Sequence, residues 1–135
     1  MEPNSLQSNA ANGAEALCAK GLDLLAAGKP DEAAQAFRAA VAQSPIQAGA
    51  QSEAHIEAHH GLVRALRDAG RLEQSIAAAL ALTALTPADP LAHTALSICL
   101  QAAGHVPEAE AAAARARILE WKIQLQSPAG EDPRP

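Results

Sequence analysis

Arg64 and Arg67 lie three residues apart, so on a helix their guanidinium groups share one face. Two planar forks side by side can take a carboxylate in bidentate fashion. The alternative is that both are solvated or paired with Asp68 and Glu57, since most surface ion pairs do little. His55 and His59 are four apart, His60 adjoins them, and His93 follows His59 by 34 residues. Two imidazoles at that spacing can chelate a metal or respond to pH, but no acidic or cysteine ligand is clearly convergent, and helix packing accounts for them as well. Cys18 and Cys99 stand too far apart to build a redox pair or a zinc quartet, and read as small buried residues. There is no Ser/His/Asp or Cys/His pattern with supporting context, and Gly28-Lys29 lacks the glycine loop of a phosphate cradle. The expectation is a protein without catalysis, metal or cofactor.

Composition narrows the partners. The 135 residues suit one domain, with 19% charged and 49% hydrophobic residues in the range of a soluble globular chain. Aromatic residues are 1%, namely Phe37 and Trp121, and alanine supplies most of the apolar content. Alanine forms helices readily but buries little area, so modest stability is expected unless a partner or second copy adds to it. A net charge of -5 argues against nucleic acid, whose phosphates demand clustered Lys and Arg. No run of about 18 apolar residues is present to span a membrane. Met1 to Gly13 lacks the basic and hydrophobic regions of a signal peptide, and a cytoplasmic location is the default.

The elements that must carry these residues are marked by two offsets. Gly70 to Gly104, Leu66 to Leu100 and Leu62 to Leu96 are each 34 apart, whereas Gly28 to Gly70, Leu24 to Leu66 and Pro45 to Pro87 are each 42. A 34-residue period of paired helices means hairpins that bury their apolar faces on one another. The spacing predicts helices over 14–27, from Pro30 to Ser44, over about 48–69 and 72–85, from Pro90 to Ala103, and from Pro107 to about Gln126. Pro30 with Asp31 and Glu32 suits a first turn, because proline lacks only an N–H that has no partner there and carboxylates favour the positive helix end. Polar 1–13 and Pro-rich 127–135 are expected to be disordered tails.

Aligned on their glycines, segments 14–47, 56–89 and 90–123 resemble tetratricopeptide repeats within a domain spanning 14–126. The residues that carry the likeness are Gly21, Leu24, Gly28, Ala33, Phe37, Ala40 and Pro45, then Leu62, Leu66, Gly70, Leu82 and Pro87, then Leu96, Leu100, Gly104, Ala109 and Ala116. Ser75 and Val63 depart from small positions of the pattern, and Trp121 replaces its closing proline. The resemblance implies an all-α, right-handed superhelix of three helix-turn-helix repeats, six helices in all, with the last helix extended. It also implies that the first helix of each repeat lines a concave peptide-binding groove. That places Cys18, Leu22 and Leu25 on the groove from the first repeat, His60, Arg64 and Arg67 from the second, and Thr94, Ile98 and Gln101 from the third. The expected ligand is a protein segment, acidic and aliphatic or ending in a free C-terminus. Family members that clamp chaperone C-termini use Lys and Asn at set groove positions, where this chain has Cys18 and Leu22. His59 and His93 fall where the family places a large packing residue.

Two further features bear on assembly. The surplus 48–55 reads either as up to two extra turns on the third helix or as a tolerated loop insertion. Ile118, Trp121 and Leu125 fall at i, i+3 and i+7 on a helix that outlasts its repeat, making an apolar stripe that folds over the array's end, forms a homo-oligomer or awaits a partner. The expected function is therefore an adaptor or scaffold that binds a partner segment. The alternatives are a self-assembling structural module and a small chaperone like some bacterial proteins of this family.

Overall fold

The computed structural model describes residues 4–43, 46–47, 50–51 and 53–126, with side chains over 13–43 and 53–126. Among the described residues six helices follow one another: α1 (Asn4–Ala26), α2 (Pro30–Gln43), α3 (Glu53–Asp68), α4 (Leu72–Leu85), α5 (Pro90–Ala102) and α6 (Val106–Gln126). Each odd helix pairs with its successor as a hairpin, α2 then packs on α3 and α4 on α5, and α1, α3 and α5 touch in sequence to make one layer. The whole is an all-α stack of three hairpins.

Each hairpin turns on the same device. Gly28, Gly70 and Gly104 adopt φ of 76°, 76° and 84°, a left-handed conformation that costs a side chain dearly and glycine nothing. In the first turn the N–H of Gly28 donates to the Leu25 carbonyl at 3.0 Å and that of Lys29 to the Leu24 carbonyl at 2.8 Å. The second and third turns repeat the pair, Gly70 to Arg67 with Arg71 to Leu66, and Gly104 to Gln101 with His105 to Leu100. These bonds satisfy carbonyls that the helix end would otherwise leave open. Entry into α5 is equally explicit, with Asp89 accepting from the Leu91 N–H at 2.9 Å and Pro90 in the first turn.

The core is two alanine-rich clusters around a few large side chains. Phe37 and Leu66 anchor the first, with Ala33, Ala34, Ala40, Ala58 and Ala65; Val63, Leu82, Leu96 and Cys99 anchor the second. Ser75 is fully buried where the repeat pattern has alanine, and its hydroxyl donates to the Leu72 carbonyl at 2.7 Å, so the polar atom is satisfied within its own helix.

Two expectations need correction. Of the tail expected over 1–13, residues 1–3 lie outside the described residues and the rest is helical, α1 starting at Asn4. From Asn4 onward no proline interrupts the run, and the two glycines at 13 and 21 cost only about 1 kcal/mol each in a helix interior. The third helix does not reach back to 48, since α3 starts at Glu53 and β2 (Ala50–Gln51) of the surplus pairs antiparallel with β1 (Ile46–Gln47) just before it. Pro45 and Gly49 flank β1 in sequence, and both disfavour helix there. The tail expected over 127–135 lies outside the described residues.

Candidate binding groove

The layer formed by α1, α3 and α5 carries two adjoining depressions. The first, of about 180 Å³, is lined by Cys18, Leu22 and Leu25 of α1, Phe37 of α2, and Glu57, His60, Gly61 and Arg64 of α3. The second is lined by His60, Val63, Arg64 and Arg67 of α3 with Leu91, Thr94, Ala95 and Ile98 of α5. His60 and Arg64 belong to both, so a polar ridge one helix turn long separates two mostly apolar hollows. Eight of the nine residues placed on the groove from sequence line one hollow or the other; Gln101 is exposed and lines neither.

The local causes are readable. On α1, Cys18, Leu22 and Leu25 follow helical spacing, and the Cys18 thiol donates a long bond of 3.8 Å to the Ala54 carbonyl at the start of α3. Burial raises the Cys18 pKa, and the carboxylates of Glu57 and Glu15 push it the same way, so the group is a quiet thiol rather than a nucleophile. On α5, Leu91, Thr94 and Ile98 also share one helix face, at steps of 3 and 4, and Leu91 and Ile98 remain 63% and 46% exposed, which is apolar surface left facing solvent.

Charge in the groove is more balanced than the arginine pair alone suggests. The Arg64 Nε lies 3.7 Å and the Arg67 Nε 3.8 Å from the two oxygens of Asp68. Both separations exceed hydrogen-bond length, and such exposed pairs contribute roughly 0–1 kcal/mol. The guanidinium forks are thus loosely held and available for exchange onto another carboxylate. Glu57, Phe37, Gly61, Val63, Leu91 and Ala95 line the hollows without having been anticipated. Glu57 and Leu91 had a signal: each precedes a predicted groove residue by three positions, Glu57 before His60 and Leu91 before Thr94. Gly61 and Ala95 had the same signal, three positions before Arg64 and Ile98, whereas Phe37 had none, because it reaches the hollow from α2.

The histidines pack rather than converge. The rings of His55 and His59 meet edge to face with centroids 4.8 Å apart, and His93 holds its Nε2 at 2.9 Å from the Pro87 carbonyl. Among the described residues no three His, Cys, Asp or Glu side chains come together as a metal site would need. Burial lowers the His59 pKa, helped by the neighbouring His55 and His60. On α6, Ile118, Trp121 and Leu125 are 45%, 64% and 72% exposed. No helix among the described residues is long and apolar enough to cross a membrane.

Comparison with known proteins agrees with this architecture. The tetratricopeptide repeat family profile matches residues 24–98. The crystal structure of the TPR domain of Arabidopsis FLU superimposes with a TM-score of 0.64 at 17% identity, covering 85% of this chain and 98% of that one. At that identity the likeness speaks for the fold alone. No curated protein matches the sequence.

Proposed function

The chain belongs to the tetratricopeptide repeat family, whose fold generally mediates protein–protein interaction, and from that premise we propose that it is a non-enzymatic adaptor that holds a partner's segment in the groove of α1, α3 and α5. The observation that carries this reading is the pair of apolar hollows divided by His60 and Arg64. An extended segment with one aliphatic side chain for each hollow and a carboxylate between them matches that order of surfaces. The carboxylate, whether from Asp, Glu or a chain terminus, replaces Asp68 on Arg64 and Arg67 at small cost, because the existing pairs are long and solvated. Specificity then rests on the few side chains at the ridge, as in most interfaces of this size.

Panning a random peptide display library on the purified chain tests this. Enriched peptides are expected to carry two aliphatic residues around an acidic one, or an aliphatic residue near a free C-terminus, and to lose at least about tenfold in affinity on Arg64→Ala/Arg67→Ala. Enrichment of unrelated sequences, or equal binding by the double variant, overturns the reading.

A further inference from the structure

Helix α6 carries two apolar seams on opposite sides. Ala109, Ala112, Ala116 and Leu119 are buried and step by 3, 4 and 3 residues along the side that packs on α5. Two positions further along, which is roughly 200° around the helix, Ala111, Ala114, Ile118, Trp121 and Leu125 step by 3, 4, 3 and 4. Beyond Leu119 every residue to Gln126 is exposed. A stripe recurring every 3.5 residues is the seam of paired helices rather than a scatter of surface apolar residues.

The face that would receive another hairpin differs in α6 from its counterparts in the earlier repeats. Ala34 of α2 and Ile76 of α4 lie in or against the buried clusters shared with α3 and α5, and Val41 of α2 does too. The counterparts of these positions in α6, read through the offsets of 42 and 34, are Glu110 and Arg117, both exposed. Glu110 and Arg117 stand at i, i+4 spacing from Ala114 and Trp121, so the face on which another hairpin would stack carries charge along one edge and adjoins the second seam along the other. In the second repeat the residues matching Ile118 and Trp121 are Ala84 of α4 and Pro87 just beyond it, so the larger apolar pair is particular to α6.

We propose that the second seam pairs with the same seam of a second copy, antiparallel about a two-fold axis at Ile118. The seam runs from small to large: Ala111 and Ala114 first, then Ile118, then Trp121 and Leu125. Antiparallel pairing sets Leu125 of each copy over Ala111 of the other and Trp121 over Ala114, so that large side chains face small ones. A shallow depression formed by Ala114, Arg117, Ile118 and Trp121 lies where the second copy's indole would seat. Such an interface is isologous and closes at two copies.

Area sets its strength. With Trp121 at 64% exposure and an aromatic side chain worth about 150–250 Å², the indole offers on the order of 150 Å². Ile118 and Leu125 add roughly half of about 100 Å² each, and the alanines with the stems of Arg115, Arg117 and Lys122 bring a dimer to on the order of 800–1,000 Å² in total. Stable interfaces need about 1,200–2,000 Å², so this dimer forms and dissociates with concentration. Arg115 of one copy also comes beside Lys122 of the other, a like-charge contact that salt screens, and the dimer tightens as salt rises.

Sedimentation equilibrium of the full chain, from about 10 µM to about 1 mM, is expected to show a monomer–dimer equilibrium that strengthens between about 0.05 and 0.5 M salt. Trp121→Ala and Ala114→Arg are each expected to raise the dissociation constant at least about tenfold with helicity unchanged by circular dichroism. A monomer throughout, a dimer that neither substitution affects, open-ended growth, or weakening with salt overturns the proposal. Register is read separately: oxidising a mixture of Ala111→Cys and Leu125→Cys chains should favour the mixed disulfide, the native Cys18 and Cys99 being buried. A preference for the two like disulfides means parallel pairing and equally overturns it. The groove proposal is untouched by either result, since peptide binding is measured on the same variants.

Discussion

The ring of Phe37 closes on the bare Cα of Gly21: a Cβ built there would lie 2.6 Å from the ring Cζ, and one on Gly61 would meet the same end of the ring, at Cε1, Cδ1 and Cζ, still more closely. The largest buried side chain of the molecule is thus clasped by two helices at positions where neither has a side chain. The contact joins α1, α2 and α3 and forms the floor of the first hollow.

Exchanging glycine for alanine inside a helix ordinarily stabilises by about 1 kcal/mol. Here the sign reverses. Gly21→Ala and Gly61→Ala must displace a ring that fills its space, and overpacking of this kind costs about 1–3 kcal/mol, leaving a net loss. Urea denaturation is expected to give a lower midpoint for both variants, and a midpoint raised above wild type would show that the ring has room to move.

Gly70→Ala separates that steric cost from a conformational one. Nothing lies within 4 Å of a Cβ built on Gly70, yet its φ is +76°. The substitution is therefore expected to cost on the order of 1 kcal/mol through backbone conformation alone, and Gly70→Asn, which tolerates the left-handed region better, should cost less. Equal losses for the two variants would contradict this.

How much of the fold and groove was legible in the sequence depends on the range of the forces involved. The three turn glycines and Pro90 act within one helix end, and the α4 bounds at Leu72 and Leu85 were readable from them. Groove residues at helical spacing on one element, such as Cys18, Leu22 and Leu25, were placed together by that spacing. Phe37 and Gly61 were not, because their meeting depends on the approach of α2 to α3. The start of α1 at Asn4 was hidden for a different reason: no breaker separates residues 4–13 from the helical stretch after them, so polarity alone marked them as a tail. Asp68 sharing itself between Arg64 and Arg67 was one of two readings that pattern left open.

His59 makes stability depend on pH. Its Nδ1 is buried without a hydrogen-bond partner among the described residues, and its folded pKa lies below the ordinary 6.5. The unfolded chain therefore takes up a proton more readily than the folded one. Stability is undiminished above pH 6.5 and falls as pH drops through that value toward the lowered folded pKa. Urea midpoints measured from pH 8 to pH 5 are expected to decline below about 6.5, and the decline should flatten in His59→Leu. An unchanged slope in that variant would assign the effect to another group.

The sharpest test of the repeat geometry exchanges packing between repeats. Phe37 in the first repeat is clasped by Gly21 and Gly61; the residues 42 further on from Phe37 and Gly21 are Ala79 and Val63, and the residue 34 on from Gly61 is Ala95. All three lie in or against the second cluster, so bulk has moved from the even helix to the odd one while the register is kept. Ala79→Phe alone is expected to overpack and cost about 1–3 kcal/mol or more. Val63→Gly alone opens a cavity and adds a helix-interior glycine, together costing about 2–4 kcal/mol. In the double variant the new ring occupies the space vacated by valine, much as Phe37 lies over Gly21, and the summed loss should shrink by at least about 1 kcal/mol. Strict additivity would mean that Val63 and Ala79 do not meet as Gly21 and Phe37 do, and that the two repeats share a sequence register without sharing a packing geometry.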